Sequence, residues 1–293
     1  MSFNRYMRGM SNGGVIAART GEVLTNDELR SVVPSIFATE AHESRSARFA
    51  PIPTANVLDG LRAEGFDPFF AQQAKTRIAG KQEFTKHMLR LRHRSLTRAD
   101  GEAFEVILVN ANDGTSSYQM LPGFFRFVCA NGLMVGDTFE EVKVRHTGEA
   151  VHEVIEGAYR VLEEAPRVTE QVDAFKHLRL SQDEQHAFAE AAHILRFPNA
   201  HAPEAEEAKP APITAEMLLR PRRRDDMAEN LWTTFNVVQE NVIRGGQAGR
   251  VRDANNRLRR ASTREVKGID QNKALNRALW TLAERMTELK SAA

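Results

Sequence analysis

The hydrophobic pattern of this chain changes period once, near its middle, and that change limits the folds open to it. Between Phe84 and Cys129, apolar and polar residues alternate in short runs separated by turn signals. From Val151 onward, apolar residues recur at three- and four-residue spacing instead. Phe84 to Arg94 reads as a strand with Phe84, Lys86, Met88, Arg90, Arg92 and Arg94 on one face and Thr85, His87, Leu89, Leu91 and His93 on the other. Ala99-Asp100-Gly101 turns the chain into a second strand, Phe104 to Val109, and Asn110 to Gly114 turns it again. Ser116 to Leu121 and Phe124 to Cys129 read as two further strands broken at Pro122-Gly123. Four consecutive segments of this kind predict an antiparallel sheet.

Helices flank the sheet. Thr25 and Glu28 form a capping-box pattern ahead of a helix to Val33, which Pro34 ends. Residues 1–24 read as an arm or early hairpin and residues 35–53 as an extended connector. Thr54 is placed to cap a helix to Glu64. Val151 to Glu164 carries a clean amphipathic stripe, continued over Val168 to Leu178, and Ser181 with Glu184 opens another helix to Leu195. Four prolines and a Glu/Ala run between Phe197 and Ile213 predict a linker. Beyond it lie a short helix from Thr214 to Leu219, a longer one from Asp226 to Arg244 stopped by Gly245-Gly246, and a last one from Asp270 to Lys290. Residues 247–267 show no apolar period and are read as polar and irregular. The expected fold class is α+β: an antiparallel sheet flanked by helices over residues 1–197, a linker over 198–213, and a helical, Arg-rich module over 214–293.

Charge is distributed unevenly along this frame. Net charge over all 293 residues is +1, yet residues 220–267 hold twelve Lys/Arg against six Asp/Glu. Such a basic segment on an acidic body predicts a polyanionic partner. Arginine suits it, because its planar guanidinium grips phosphate bidentately. Two sets of residues are expected to contact nucleic acid: Lys86, Arg90, Arg92, Arg94 and Arg126 on the sheet, and Arg244, Arg250, Arg252, Arg257, Arg259, Arg260 and Arg264 in the C-terminal segment. The sheet set has Phe84 and Met88 interleaved, the arrangement of platforms on which single-stranded bases stack. No helix of helix-turn-helix type stands out, which also favours single-stranded DNA.

Other chemistries find little support. Cys129, the single cysteine, excludes an internal disulfide and fits a reducing compartment. Flanked by Val128 and Ala130, it reads as a small core residue rather than a nucleophile. The nine histidines lack metal-ligand spacing, and the glycine loops at Gly13-Gly14 and Gly245-Gly246 lack the setting of a nucleotide fold, so neither metal nor cofactor is expected. No catalytic motif is legible. No run of about 18 apolar residues would span a membrane, and the N-terminus has no secretory pattern.

The runs N-A-N-D-G-T-S-S-Y at Asn110 to Tyr118 and R-F-V-C-A-N-G-L at Arg126 to Leu133 resemble the signature of a phage- and plasmid-borne family of unknown function. P-S-I-F-A at Pro34 to Ala38, H-E-S-R-S at His42 to Ser46 and G-I-D-Q-N at Gly268 to Asn272 extend the resemblance over nearly the whole chain. It departs from that pattern at Asn112, where a histidine is expected before Asp-Gly. The resemblance implies a cytoplasmic protein of a mobile element, engaged in DNA handling or in anti-defence, and brings no catalytic residues. The expected function is thus a non-enzymatic, sequence-tolerant DNA-binding accessory protein favouring single strands. The alternative is a protein-binding inhibitor of a host defence system.

Overall fold

The structure is a computed structural model that describes residues 14–18, 22–44, 52–96, 101–126, 131–136, 139, 141–144, 150–201, 210–253 and 255–291. It is mixed α+β and divides into two compact units, residues 1–135 with 139–166 and residues 136–138 with 167–293. Compactness thus changes at residue 166, ahead of the linker at 198–213, of which residues 202–209 lie outside the described residues.

The first unit begins with β1 (Val15–Ala17), α1 (Asn26–Val32) and α2 (Thr54–Ala63). It continues through β2 (Phe66–Gln73), β3 (His87–His93), β4 (Glu102–Asn110), β5 (Tyr118–Arg126), β6 (Asn131–Met134), β7 (Val142–Val144) and α3 (Ala150–Glu163). Among the described residues these seven strands form one sheet in the order β1-β2-β3-β4-β5-β6, with β7 also pairing β5. Every pairing is antiparallel. The Thr25–Glu28 capping box forms as the sequence predicts. Thr54 does not cap α2: it lies inside the helix, and its hydroxyl turns to His87 and Tyr118 instead.

Local chemistry accounts for where the strands depart from the sequence pattern. β5 runs unbroken through Pro122-Gly123, in place of the two predicted strands. Pro122 falls between residues 118–120, paired to β7, and residues 123–126, paired to β6, a gap in the outer ladder that tolerates a residue with no N–H. β2 escapes the alternation rule because its register shifts between Pro68 and Phe70, which puts Phe69 and Phe70 across an irregularity. All nine residues of β4 are buried, so this strand has no solvent face. Leu89 and Leu91 share a face with Val106, Leu108 and His87, and α2 and α3 pack on that side.

The second unit holds α4 (Ala165–His177), α5 (Gln182–Arg196), α6 (Leu231–Arg244), the strands β8 (Ala248–Arg252) and β9 (Leu258–Ser262), and α7 (Ile269–Ser291). The Ser181–Glu184 capping box forms as expected. Asp226 and Glu229 do not cap α6. Asn230 does, its side chain accepting from Thr233 N at 2.8 Å, while Asp226 pairs with Arg223 and Glu229 with Arg179. Rather than burying one stripe, α6 is buried from Leu231 to Ile243 on every side. Its core contacts are aromatic: Phe235 meets Trp280 edge-on at 5.9 Å and stacks on Trp232 at 5.9 Å. The polar residues of α6 are bonded inward, Asn241 Nδ2 donating to the Leu218 and Arg220 carbonyls and Gln239 Nε2 to Asn276 Oδ1.

The helix stops at Gly245, with φ 63° and ψ −149°, a conformation open essentially only to glycine. A side-chain carbon there would also come within 2.6 Å of the Arg264 carbonyl carbon. Gly245→Ala is therefore expected to destabilise the second unit by about 2 kcal/mol in urea denaturation. An unchanged midpoint would contradict this account of the helix end.

Candidate nucleic-acid interface

The two sets of basic residues meet different fates, decided by whether an acid lies across from them. On the sheet, Lys86, Arg90 and Arg92 alternate onto one side of the β3 segment, as the sequence predicts, but that side is not solvent-facing. The side chains of Arg90, Arg92 and Glu105 are only 5, 15 and 0 % exposed. Arg90 Nε donates to Glu105 Oε2 at 2.5 Å and Arg92 Nε to Oε1 at 2.9 Å, one carboxylate holding two guanidiniums. Both cations also lie over aromatic rings: Arg90 is 4.7 Å from the Phe125 centroid, and Arg92 is 4.2 Å from that of Phe69. Burial pushes the Arg92 guanidinium below its ordinary value against the opposing pull of Glu105. Met88 is buried as well.

Exposed Arg94 is bound through Nε to Asp67 Oδ2 at 2.9 Å. Arg126 is half-buried with its Cα opposite Glu102, and Lys86 is half-buried. The expected stacking platform is corrected accordingly. Arg90 and Arg92 are bound to Glu105, which β4 presents one strand away, and Arg94 is bound to Asp67.

The C-terminal set divides. Arg244 Nη1 donates to Glu240 Oε1 at 2.8 Å, so this residue belongs to the fold. The remainder sit on or beside the β8–β9 hairpin, which replaces the predicted irregular segment. Its only acid, Asp253, is absorbed internally: Oδ2 accepts from Arg259 Nε at 2.6 Å, and Oδ1 accepts from the Asn255 and Arg257 backbone. The Arg259 hydrogen bond, then those backbone donors, hold the carboxyl below its usual range. Asn256, at φ 60°, makes the left-handed step that closes the loop.

The pairing register assigns the faces. Ala248 opposes Ser262, Arg250 opposes Arg260 and Arg252 opposes Leu258, and all six are exposed. Gly249, Val251 and Ala261 form the inner face and are half-buried. A side chain on Gly249 would overlap the Pro212 carbonyl, which also accepts from Arg250 N at 3.0 Å. Two like charges directly opposite on an antiparallel pair are destabilising by themselves. Among the described residues no acidic side chain is within ion-pair distance of Arg250, Arg252, Arg257, Arg260 or Arg264. Arg252 Nη1 meets only a neutral acceptor, the Asn256 carbonyl at 3.0 Å. Sequence spacing alone missed this face, since its alternation is of arginine with small residues.

The signature run has a structural role. Asn110 Nδ2 donates to Thr54 Oγ1 at 3.0 Å, Thr54 Oγ1 lies 2.9 Å from His87 Nε2, and Tyr118 OH donates to the Ile52 carbonyl at 2.9 Å. Asn112 Nδ2 reaches the Ser35 carbonyl at 3.1 Å. Burial pushes the Tyr118 hydroxyl well above its usual value, so it serves here as a neutral hydrogen-bonding group. This buried network ties α2 and the Pro34–Phe37 turn to the sheet. Cys129 and the run's neighbours at 127–130 lie outside the described residues.

Comparison with known proteins agrees with the extent of the signature. A family model described as "Domain of unknown function (DUF932)" matches residues 41–280. Two Escherichia coli K12 proteins, UPF0380 protein YafZ and UPF0380 protein YfjQ, are each 47 % identical to the chain over 274 residues, 94 % of this chain and 95 % of theirs. No solved structure matches the chain. With its signature residues built into the hydrogen-bonded seam between helix and sheet, and its match running from residue 41, ahead of α2, into α7, the chain belongs to the DUF932 family of unknown function.

Proposed function

We propose that this protein is a nucleic-acid-binding accessory protein of a mobile element, gripping the phosphate backbone with the outer face of the β8–β9 hairpin and reading no particular sequence. The observation that carries this reading is the Arg250–Arg260 pair, opposed across the hairpin with no acid among the described residues within ion-pair distance. A bound polyanion relieves that repulsion and releases counterions as it does so. Segment 248–262 holds five arginines and one aspartate, and the aspartate is spent on Arg259 and the turn. The β3 face contributes no contact in this proposal, so the stacking argument for single strands goes with it.

Binding of a labelled oligonucleotide, followed by anisotropy over a salt series, tests the proposal. Five neutralised phosphates give a log–log slope of about −4. Arg250→Ala with Arg260→Ala should reduce its steepness by about 2. No binding at about 50 mM salt, where such contacts are strongest, would falsify it. Nuclease-resistant capture of a host protein through the same arginines would instead support the anti-defence reading, in which exposed Leu258 becomes part of a protein contact.

A further inference from the structure

Resting on that reading, we infer that the partner is double-stranded B-form DNA, and that the hairpin lays its outer face in the major groove. Shape is the first reason. A two-stranded ribbon has its strands about 4.8 Å apart, and with side chains it fills a groove about 12 Å wide. The minor groove of an unbent duplex, about 6 Å wide, is too narrow for it and would have to be opened by kinking the DNA, and the major groove of A-form RNA is too deep and narrow to be read.

Composition is the second reason. Proteins that hold single strands take much of their affinity from bases stacked on aromatic rings. Residues 245–268 contain no Phe, Tyr or Trp. The outer face offers Arg250, Arg252 and Arg260 around Leu258, which is 54 % exposed. Long arginine side chains lying in the groove reach the phosphates that border it on either side, and an aliphatic group meets the groove floor without selecting one base. Arg257 at the turn and Arg264 at the base are exposed beyond the two ends of the ribbon, placed to reach the backbones that border a groove.

Rigidity is the third reason. The turn is fixed by three bonds to Asp253 and the inner face is seated on Pro212. At the base, Gln247 N donates to Thr263 Oγ1 at 3.0 Å and Gly246 N to the Thr263 carbonyl at 2.8 Å. A ribbon held in this way enters a groove with little backbone ordering left to do, so the ordering cost falls on its arginine side chains.

Three probes of one sequence, as DNA duplex, DNA single strand and RNA duplex, compared with the full chain at about 100 mM salt, test the inference. We expect the DNA duplex to bind at least tenfold more tightly than either other probe. Arg250→Ala with Arg260→Ala should weaken duplex binding by about a hundredfold, roughly tenfold per charge-assisted phosphate contact. Both side chains are exposed and make no ion pair among the described residues, so the variant should melt with the parent; a circular dichroism melt verifies this. Dimethyl sulfate should be blocked at guanine N7, in the major groove, and not at adenine N3, in the minor groove. Equal or tighter binding of the single strand, still dependent on the two arginines, overturns the duplex assignment and leaves phosphate binding standing. Protection at adenine N3 alone overturns the groove assignment. Absence of binding to all three probes removes both readings, as does duplex binding that the double variant leaves unchanged.

Discussion

Glu105→Gln is expected to destabilise the sheet unit by about 3–5 kcal/mol, the cost of removing one partner from a buried ion pair. The carboxylate is fully buried and is an ionic partner of both Arg90 and Arg92. Glutamine keeps the shape and one acceptor oxygen but removes the charge, leaving two guanidiniums close together, one buried and one mostly so, with no carboxylate between them. Their cation–π contacts with Phe69, Phe70 and Phe125 are each worth about 0.5–2 kcal/mol and do not replace the lost carboxylate charge. Both tryptophans, Trp232 and Trp280, lie in the second unit, so backbone circular dichroism in urea is the signal for this transition. A loss below about 1 kcal/mol would mean that Arg90 and Arg92 find other partners, contrary to a buried triad. Arg94→Ala serves as the contrast: its side chain is 65 % exposed, and such surface pairs contribute about 0–1 kcal/mol.

That contrast shows what the sequence could and could not disclose. Alternation located β3 and β4, and helical spacing with capping boxes located α1 and α5, because in each the pattern lies within one continuous segment. The partner of Arg90 lies fifteen residues away and becomes visible only once register is known. A signal was present nonetheless: Glu105 is the one charge inside the apolar run Phe104 to Val109, and a lone acid in a core strand demands a buried cation. The hairpin stayed hidden for the opposite reason. One of its faces is fully exposed and the other rests on Pro212, so β8 and β9 carry arginines and small residues where a strand pattern needs apolar ones. Asn255-Asn256 marked the turn, and Gly249 the close approach, yet neither stands out in an arginine-rich stretch.

In the helical unit, Glu240→Ala should cost about 3 kcal/mol, toward the lower end for a broken buried pair. Glu240 has a side chain 2 % exposed on α6, and both its oxygens accept from Arg223 at 2.6 Å while Oε1 also accepts from Arg244 at 2.8 Å. The loss is smaller than at Glu105 because Arg223 keeps Asp226 at 2.7 Å and Arg244, 27 % exposed, can turn toward water. Tryptophan fluorescence in urea reports it directly, since Trp232 lies on the same helix and Trp280 packs against its Phe235. Below the melting transition the variant should bind DNA with the parent's salt slope. Glu240 holds Arg244, which the sequence placed among the phosphate contacts, yet the hairpin arginines keep their exposed face without it. A flattened slope in a folded Glu240→Ala protein would return Arg244 to the interface and overturn the division between arginines that build the fold and arginines left for a partner.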